Sequence, residues 1–269
     1  MNIPLNWAKE EGWNPGIYDK DCFYQGDSEG FLGGFLDNQL IGTISAVKYG
    51  KSFGFIGFYI VKPEYRKQGY GLKIWQEAMT SLSGRNIGLD GVVSQQENYQ
   101  KSGFKLAYRN MRYQGISHHN IAENNQTVID ISSLPFEMIN NYDQQFFPDD
   151  RRDFLRAWIK QPESKILGII QDNQLKGYGM VRVCYSGYKI APLFADNLSF
   201  AESIFLALQC QIPEGKNFYL DIPEVNDSAR ILVGKYGLNL VFETARMYKK
   251  ETPDLPLDRI FGVTSFELG

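Results

Sequence analysis

The chain has 269 residues, of which 43% are hydrophobic and 22% are charged, and its formal net charge is −3. This is the composition of an ordinary globular protein with room for two domains of about 130 residues each, and its acidic balance gives no support to nucleic-acid binding. The three cysteines form no CxxC pair and the only histidines are one His-His pair, which argues against a metal site. An odd number of cysteines without framework spacing favours a reducing, cytoplasmic compartment. No apolar run is long enough to span a membrane.

The first half of the chain predicts three strands, a helix, a strand, a short helix and a last strand. The strands follow from apolar runs, and the long helix follows from its amphipathic pattern. A glycine just past a helix is the expected left-handed stop, which ends the short helix at Gly103. The predicted bounds are 40–49, 53–61, 86–93 and 108–113 for strands that follow a first short one, and 72–82 for the long helix.

The second half repeats this order. The turn Asp37-Asn38-Gln39-Leu40 recurs as Asp172-Asn173-Gln174-Leu175, and a Leu-Asp pair recurs at 89–90 and 220–221. The repeat predicts strands at 175–185, 188–195, 217–222 and 240–248, a helix at 200–209 and a short helix ending at Gly237. A polar seam at 117–127 separates the copies. We therefore predict domains at 1–120 and 127–269, each an α/β layered unit in which helices flank a mixed, mostly antiparallel sheet.

The segment Arg66-Lys67-Gln68-Gly69-Tyr70-Gly71 joins the third strand to the long helix. Backbone N–H groups at a helix start lack intrahelical partners, and the helix dipole adds positive potential. The two glycines allow a phosphate to approach the backbone closely, and the first two side chains add positive charge. We interpret this segment, the cradle, as a pyrophosphate site.

These residues resemble the GNAT superfamily of acyl-CoA-dependent N-acyltransferases. The cradle, with Tyr59-Ile60-Val61 and Pro63 before it, fits the Arg/Gln-x-x-Gly-x-Gly/Ala signature of that family. The helix end Tyr99-Gln100-Lys101-Ser102-Gly103-Phe104 looks like the Tyr-x-x-x-Gly-Phe segment of the same family. The second half resembles the degenerate C-terminal domain of tandem GNAT proteins, most clearly in its closing segment, 261–269.

The resemblance implies direct acyl transfer from acyl-CoA, with acetyl-CoA favoured, to a primary amine in a ternary complex, without a metal. The backbone of Tyr59, Ile60 and Val61 would pair with the pantetheine arm and supply an oxyanion donor, and Tyr99 would protonate the leaving thiolate. The cradle residues would hold the pyrophosphate: Arg66, Lys67, Gln68, Gly69, Tyr70 and Gly71. The acceptor would be a small-molecule or peptide amine, and the protein would be a monomer or homodimer.

The second half has diverged at the matching positions. Residues 199–204 contain no glycine, Glu202 would repel a phosphate, and Val233 stands where the first half has Tyr99. It keeps Asn226 and Ala229 in the family's Asn-x-x-Ala spacing. We therefore expect acyl-CoA to bind in the first half alone.

A general base is not evident, because the strand at 53–61 contains no carboxylate. The candidates are Glu10, Glu11, Asp19, Asp196, Asp221 and Glu224. The missing base keeps open a non-catalytic acyl-CoA binder or sensor, whereas a P-loop nucleotide site is disfavoured because no Lys-Ser or Lys-Thr follows the glycines. Trp13, in a loop-like segment, is a candidate wall of an acceptor pocket, and Trp75 is expected in the core.

Overall fold

The computed structural model describes residues 2–119 and 127–269. The helices are α1 (Asn2–Glu10), α2 (Asp19–Gly26), α3 (Tyr70–Ser81), α4 (Gln96–Lys101), α5 (Phe136–Asp143), α6 (Arg152–Trp158), α7 (Leu198–Gln209) and α8 (Asp227–Lys235). The strands of the first half are β1 (Phe31–Leu36), β2 (Gln39–Tyr49), β3 (Phe53–Val61), β4 (Asn86–Val92) and β5 (Lys105–Ile116). Those of the second half are β6 (Ile129–Asp130), β7 (Ser164–Gln171), β8 (Gln174–Val183), β9 (Tyr188–Ala195), β10 (Asn217–Pro223), β11 (Asn239–Tyr248) and β12 (Ile260–Gly262).

The order of elements predicted for each half is confirmed. Strands β3 and β9 have the predicted bounds, and Gly103 and Gly237 follow the short helices with φ of 88° and 62°. Helix α3 begins at Tyr70, two residues before the apolar pattern starts, because the pattern reports buried positions rather than the first turn. No helix among the described residues is both long and apolar enough to cross a membrane.

The described strands form one continuous sheet in the order β1-β2-β3-β4-β11-β5-β10-β9-β8-β7-β6, with β12 paired to β9. The pairs β3–β4 and β9–β10 are parallel and the remaining pairs are antiparallel. The mixed, mostly antiparallel sheet flanked by helices is therefore confirmed.

The two halves exchange their last strands. Strand β11 of the second half lies between β4 and β5, and β5 of the first half lies between β11 and β10. Ala245 and Met247 of β11 are fully buried in the core that α3 covers, so the second half completes the first half's core. Most of the predicted seam, residues 120–126, lies outside the described residues.

Strands β3 and β4 diverge halfway along their length. They pair only as far as Ile56 and Leu89. Beyond that point β3 bulges at Phe58, which has a φ of 46°, and the Thr43 hydroxyl donates a 3.0 Å hydrogen bond to the Phe58 carbonyl. Such a bulge bends a strand away from its neighbour. The result is a V-shaped opening between residues 57–61 and 90–92, which we call the first cleft.

Candidate active site

The first cleft contains a cavity of about 800 Å³. Its walls are the diverging ends of β3 and β4, the start of α3, helix α4 and a segment from the end of the chain. The predicted site residues that line it are Tyr59, Ile60, Val61, Arg66, Lys67, Gly69, Gly71 and Tyr99. The fold thus brings together most of the residues that the motifs indicated.

The cradle forms the start of α3. Gly69 is the N-cap residue with a φ of 85°, and a Cβ there would meet no atom within 4 Å, so the space in front of the helix is open. No side chain caps this helix, which leaves its first N–H groups available to a ligand. Gly71 packs on Tyr59, whose hydroxyl would lie 2.7 Å from a Cβ at that position. A side chain at position 71 would therefore collide with Tyr59 as well as obstruct a ligand at the helix start.

Three cradle side chains have structural partners of their own. Gln68 and Tyr70 are absent from the cavity wall: the Gln68 amide donates to the Glu64 carbonyl, and the Tyr70 ring packs edge-on against Tyr65. Arg66 lines the cavity, but its guanidinium donates to the Val61 carbonyl at 2.7 Å and pairs with Glu11. Arg66 must therefore exchange Glu11 for a phosphate if it is to serve one.

Tyr99 lies on α4 and turns its ring into the cavity wall. A Cβ at Gly91 would lie 2.3 Å from the Tyr99 Cε2 atom, so the bare backbone of β4 makes room for this ring. The Trp75 ring packs against it with centroids 5.5 Å apart. Burial raises the pKa of the Tyr99 hydroxyl above its ordinary value, so the phenol is protonated at neutral pH and can donate a hydrogen bond.

Glu267 is a cavity residue that sequence reasoning missed. It is 3% exposed, and neither carboxylate oxygen has a hydrogen-bond partner among the described residues. The backbone carbonyl of Glu267 packs directly over Gly57, where a Cβ would lie 1.9 Å from the backbone carbonyl oxygen. Burial raises the pKa of Glu267, and the nearby cations Lys189 and Arg112 oppose that rise. A glycine inside an apolar strand often marks a place where another backbone approaches closely. Gly57 was therefore the feature of the sequence that could have indicated a contact here.

The carboxylates predicted as candidate bases are engaged elsewhere. Glu11 lines the cavity but is paired with Arg66. Glu10 is exposed at the end of α1 and does not line the cavity. The others also lie outside the cavity wall, each with a partner: Asp19 with Arg182, Asp196 with Tyr142, Asp221 with Arg112, and Glu224 with the N–H of Arg109.

Aromatic side chains from both halves line the cavity near Glu267. Trp13, the candidate wall of an acceptor pocket, lines the cavity together with Phe242 of β11 and Phe266. The last two rings have centroids 6.4 Å apart, and the Arg112 guanidinium lies 4.7 Å from the Phe266 centroid. The strand exchange and the end of the chain therefore supply part of this wall.

The matching cleft of the second half is filled by the chain itself. Strands β9 and β10 pair only as far as Ile190 and Leu220, and beyond that point β12 pairs with β9. The Asn226 side chain anchors β12 by donating to the Ile260 carbonyl at 2.8 Å. These contacts occupy the space that corresponds to the first cleft.

The start of α7 is also closed. The Asn197 side chain caps it by accepting a 3.0 Å hydrogen bond from the N–H of Phe200. Glu202 pairs with Lys235 and Tyr236, and Val233 is buried. The divergence seen in the sequence thus corresponds to a helix start that carries a side-chain cap, unlike the start of α3.

Two family models match the chain, one in each half. The model described as the acetyltransferase (GNAT) family matches residues 4–104, and the model described as the acetyltransferase (GNAT) domain matches residues 139–262. The chain belongs to the GNAT superfamily. It is a tandem GNAT protein of the acyltransferase class, and proteins of this family use acyl-CoA as cosubstrate.

Individual relatives agree with this assignment. Holothin acyltransferase of Pseudoalteromonas sp. (strain SANK 73390) is 29% identical over 267 residues, which cover 99% of this chain and 90% of the relative. A Pyrococcus horikoshii protein assigned as an acetyltransferase has a similar structure, with a TM-score of 0.80 and 25% identity over 94% of this chain and 84% of that one. A tandem GNAT protein from the clavulanic acid biosynthesis pathway shares the fold, with a TM-score of 0.62 at 11% identity and 89% coverage of both chains.

Proposed function

We propose that this GNAT protein transfers an acyl group, acetyl by preference, from acyl-CoA directly to a primary amine while both substrates occupy the first cleft. The observation that carries the proposal is the contrast between the clefts. The first is open and ends at an uncapped helix start, whereas the second is filled by β12 and ends at a helix capped by Asn197.

The diphosphate of the carrier would lie on the N–H groups at the start of α3, with Lys67 beside it. Lys67 and Gly69 have φ of 60° and 85°, so the loop turns sharply before the helix begins. The pantetheine arm would extend along 59–61, on the side of β3 that has lost its partner strand. Unpaired strand edges offer N–H and C=O groups to an amide-containing ligand.

The chemistry requires an oxyanion donor and a proton for the leaving thiolate. A backbone N–H within Tyr59, Ile60 and Val61 would stabilise the oxyanion. Tyr99 would donate to the sulfur as the C–S bond breaks. Because the amine attacks the thioester itself, no acyl group is transferred to the protein.

The acceptor would enter beside Trp13, Phe242 and Phe266, which favours an apolar or aromatic small molecule over a charged peptide. The name of the Pseudoalteromonas relative makes holothin the first acceptor to assay. Thiol release in steady state with holothin and a panel of amines separates an enzyme from a non-catalytic acyl-CoA binder. We propose a cytoplasmic location, in agreement with three free cysteines.

Gly69→Glu tests the proposed carrier site. The added carboxylate would occupy the place of the diphosphate, and at about 4 Å the repulsion between two unit charges near a protein surface is about 4 kcal/mol. We expect acetyl-CoA binding, measured by calorimetry, to be lost.

Gly84→Glu is the matched control. Gly84 has a φ of 84°, close to that of Gly69, and its Cβ position is equally open, but it does not line the cavity. The two variants therefore add the same charge at glycines of similar φ. Equal acetyl-CoA affinity in both would reject the carrier site.

A further inference from the structure

We propose that the Glu267 carboxylate is the general base of the reaction, receiving the proton that the acceptor amine loses as it attacks the thioester. The inference rests on the proposed function. It assigns a catalytic role to a residue from the end of the second half, in a cleft built mainly by the first.

The position of Glu267 suits this role. Its carbonyl lies against Gly57, the residue at which β3 begins to leave β4. A pantetheine arm that enters from the cradle and runs along Val61, Ile60 and Tyr59 would bring its thioester toward Gly57. The amine must reach the same place, beside Phe266 and Phe242.

Glu267 lines the cavity, and both its carboxylate oxygens are buried without a hydrogen-bond partner among the described residues. Asp90 accepts from Arg246 Nε at 2.9 Å and from the Asn110 amide at 2.8 Å, so its lone pairs are engaged. Glu11 is held by Arg66. A buried carboxylate left without hydrogen bonds is costly, and such a group calls for an explanation. An amine N–H would be its first donor.

Charged groups from several elements surround Glu267. Arg112 of β5 is held by Asp221 of β10 at 2.7 Å, and Arg182 of β8 is held by Asp19 of α2 at 2.9 Å. These two pairs are close to neutral as units.

Lys189 of β9 is different. Its Nζ is 3.9 Å from Asp221, a carboxylate that Arg112 already holds, and it has no hydrogen-bond partner among the described residues. Burial and Arg112 lower the pKa of Lys189, while burial raises the pKa of Glu267. Glu267 would thus receive its proton beside two ion pairs and Lys189, whose ammonium form is disfavoured by burial.

The neutral amine forms a C–N bond to the thioester carbon, the carbonyl becomes an oxyanion, and the excess proton on nitrogen passes to a Glu267 oxygen. When the C–S bond breaks, the thiolate takes a proton from Tyr99, and Tyr99 regains one from solvent. Glu267 returns its proton to solvent, so the net products are the amide and the free thiol of CoA.

The test compares wild type with Glu267→Gln and Glu267→Asp, using acetyl-CoA and whichever amine the wild type acylates. Loss of a general base costs about 10²-fold or more in turnover, so we expect kcat of the Gln variant to fall by at least that factor. Acetyl-CoA affinity by calorimetry should be unchanged, which also shows that the variant is folded. Glu243→Gln is the control: it removes a partly exposed carboxylate of β11 that pairs with Arg109 and does not line the cavity, and it should keep wild-type kcat.

The pH profile separates a base from a structural residue. Because the pKa of Glu267 is raised from its ordinary 4.5, wild-type kcat should rise with pH through a midpoint above that value as the carboxylate ionises. This limb should vanish in the Gln variant and persist, at lower kcat, in the Asp variant. A Gln variant that keeps both kcat and the limb would overturn this proposal alone, whereas a wild type that acylates no amine would overturn the proposed function with it.

Discussion

At the scale of single residues, Tyr99 shows how far a motif can predict a site. The Tyr-x-x-x-Gly-Phe spacing indicated its position on a short helix, and its ring does line the cavity. The sequence did not show that the Tyr99 ring packs on Gly91 of β4, because that contact joins two separate elements.

Tyr99→Phe should therefore lower kcat with little change in acetyl-CoA affinity. Loss of a general acid costs roughly 10²-fold, while the ring and its contact with Trp75 remain. Steady-state kinetics and calorimetry measure the two quantities. Tyr236→Phe, a phenol of the second half, is the control, and equal turnover in the two variants would remove Tyr99 from the mechanism.

Arg66 and Glu267 mark the limits of prediction at this scale. The signature indicated Arg66 as a phosphate ligand, but its pairing with Glu11 was not visible in the pattern. Exposed ion pairs contribute about 1 kcal/mol or less, so a diphosphate could displace Glu11. Glu267 was missed because its contact with Gly57 joins opposite ends of the chain, and no local periodicity records such a contact.

At the scale of elements, the two halves start their helices differently. Helix α3 has no side-chain cap, whereas α7 and α8 are capped by Asn197 and Asn226. The sequence showed the glycines of the cradle and the Asn-x-x-Ala pair. It could not show that Asn226 also holds the Asp258 and Ile260 carbonyls and so anchors β12 in the second cleft.

Asn226→Ala should destabilise the protein more than Asn197→Ala. Both lose an N-cap, which costs about 1 kcal/mol. Asn226 is buried and loses two further hydrogen bonds, each with a net value of about 1 kcal/mol, so we expect about 3 kcal/mol in total. The free energy of unfolding in urea measures both, and equal losses would show that β12 does not depend on this anchor.

At the scale of the whole molecule, the strand exchange is what the sequence could not predict. Apolar patterns gave the order and type of the seven elements predicted in each half, because these follow from local periodicity, but they did not indicate α1, α2, α5, α6, β6 or β12. Apolar patterns do not specify which strand pairs with which. By its pattern alone, β5 could pair with β4 as well as with β10, and so could β11. The division into domains at 1–120 and 127–269 follows the sequence repeat and stays a prediction.

We expect that neither half folds alone. Without β10 and β11, strand β5 loses both its neighbours and β4 loses one, and the first core loses Ala245 and Met247. Circular dichroism and size exclusion of residues 1–120 should show an unfolded or aggregated chain, and co-expression with 127–269 should restore a folded complex. A cooperative thermal transition of 1–120 by itself would contradict this expectation.

A crystal structure of the protein grown with saturating acetyl-CoA tests the proposed site most directly. We predict one carrier molecule per chain, with its diphosphate on the N–H groups at the start of α3 and its thioester beside Gly57 and Glu267. A carrier found between β9 and β10, or a second one bound there, would contradict this prediction.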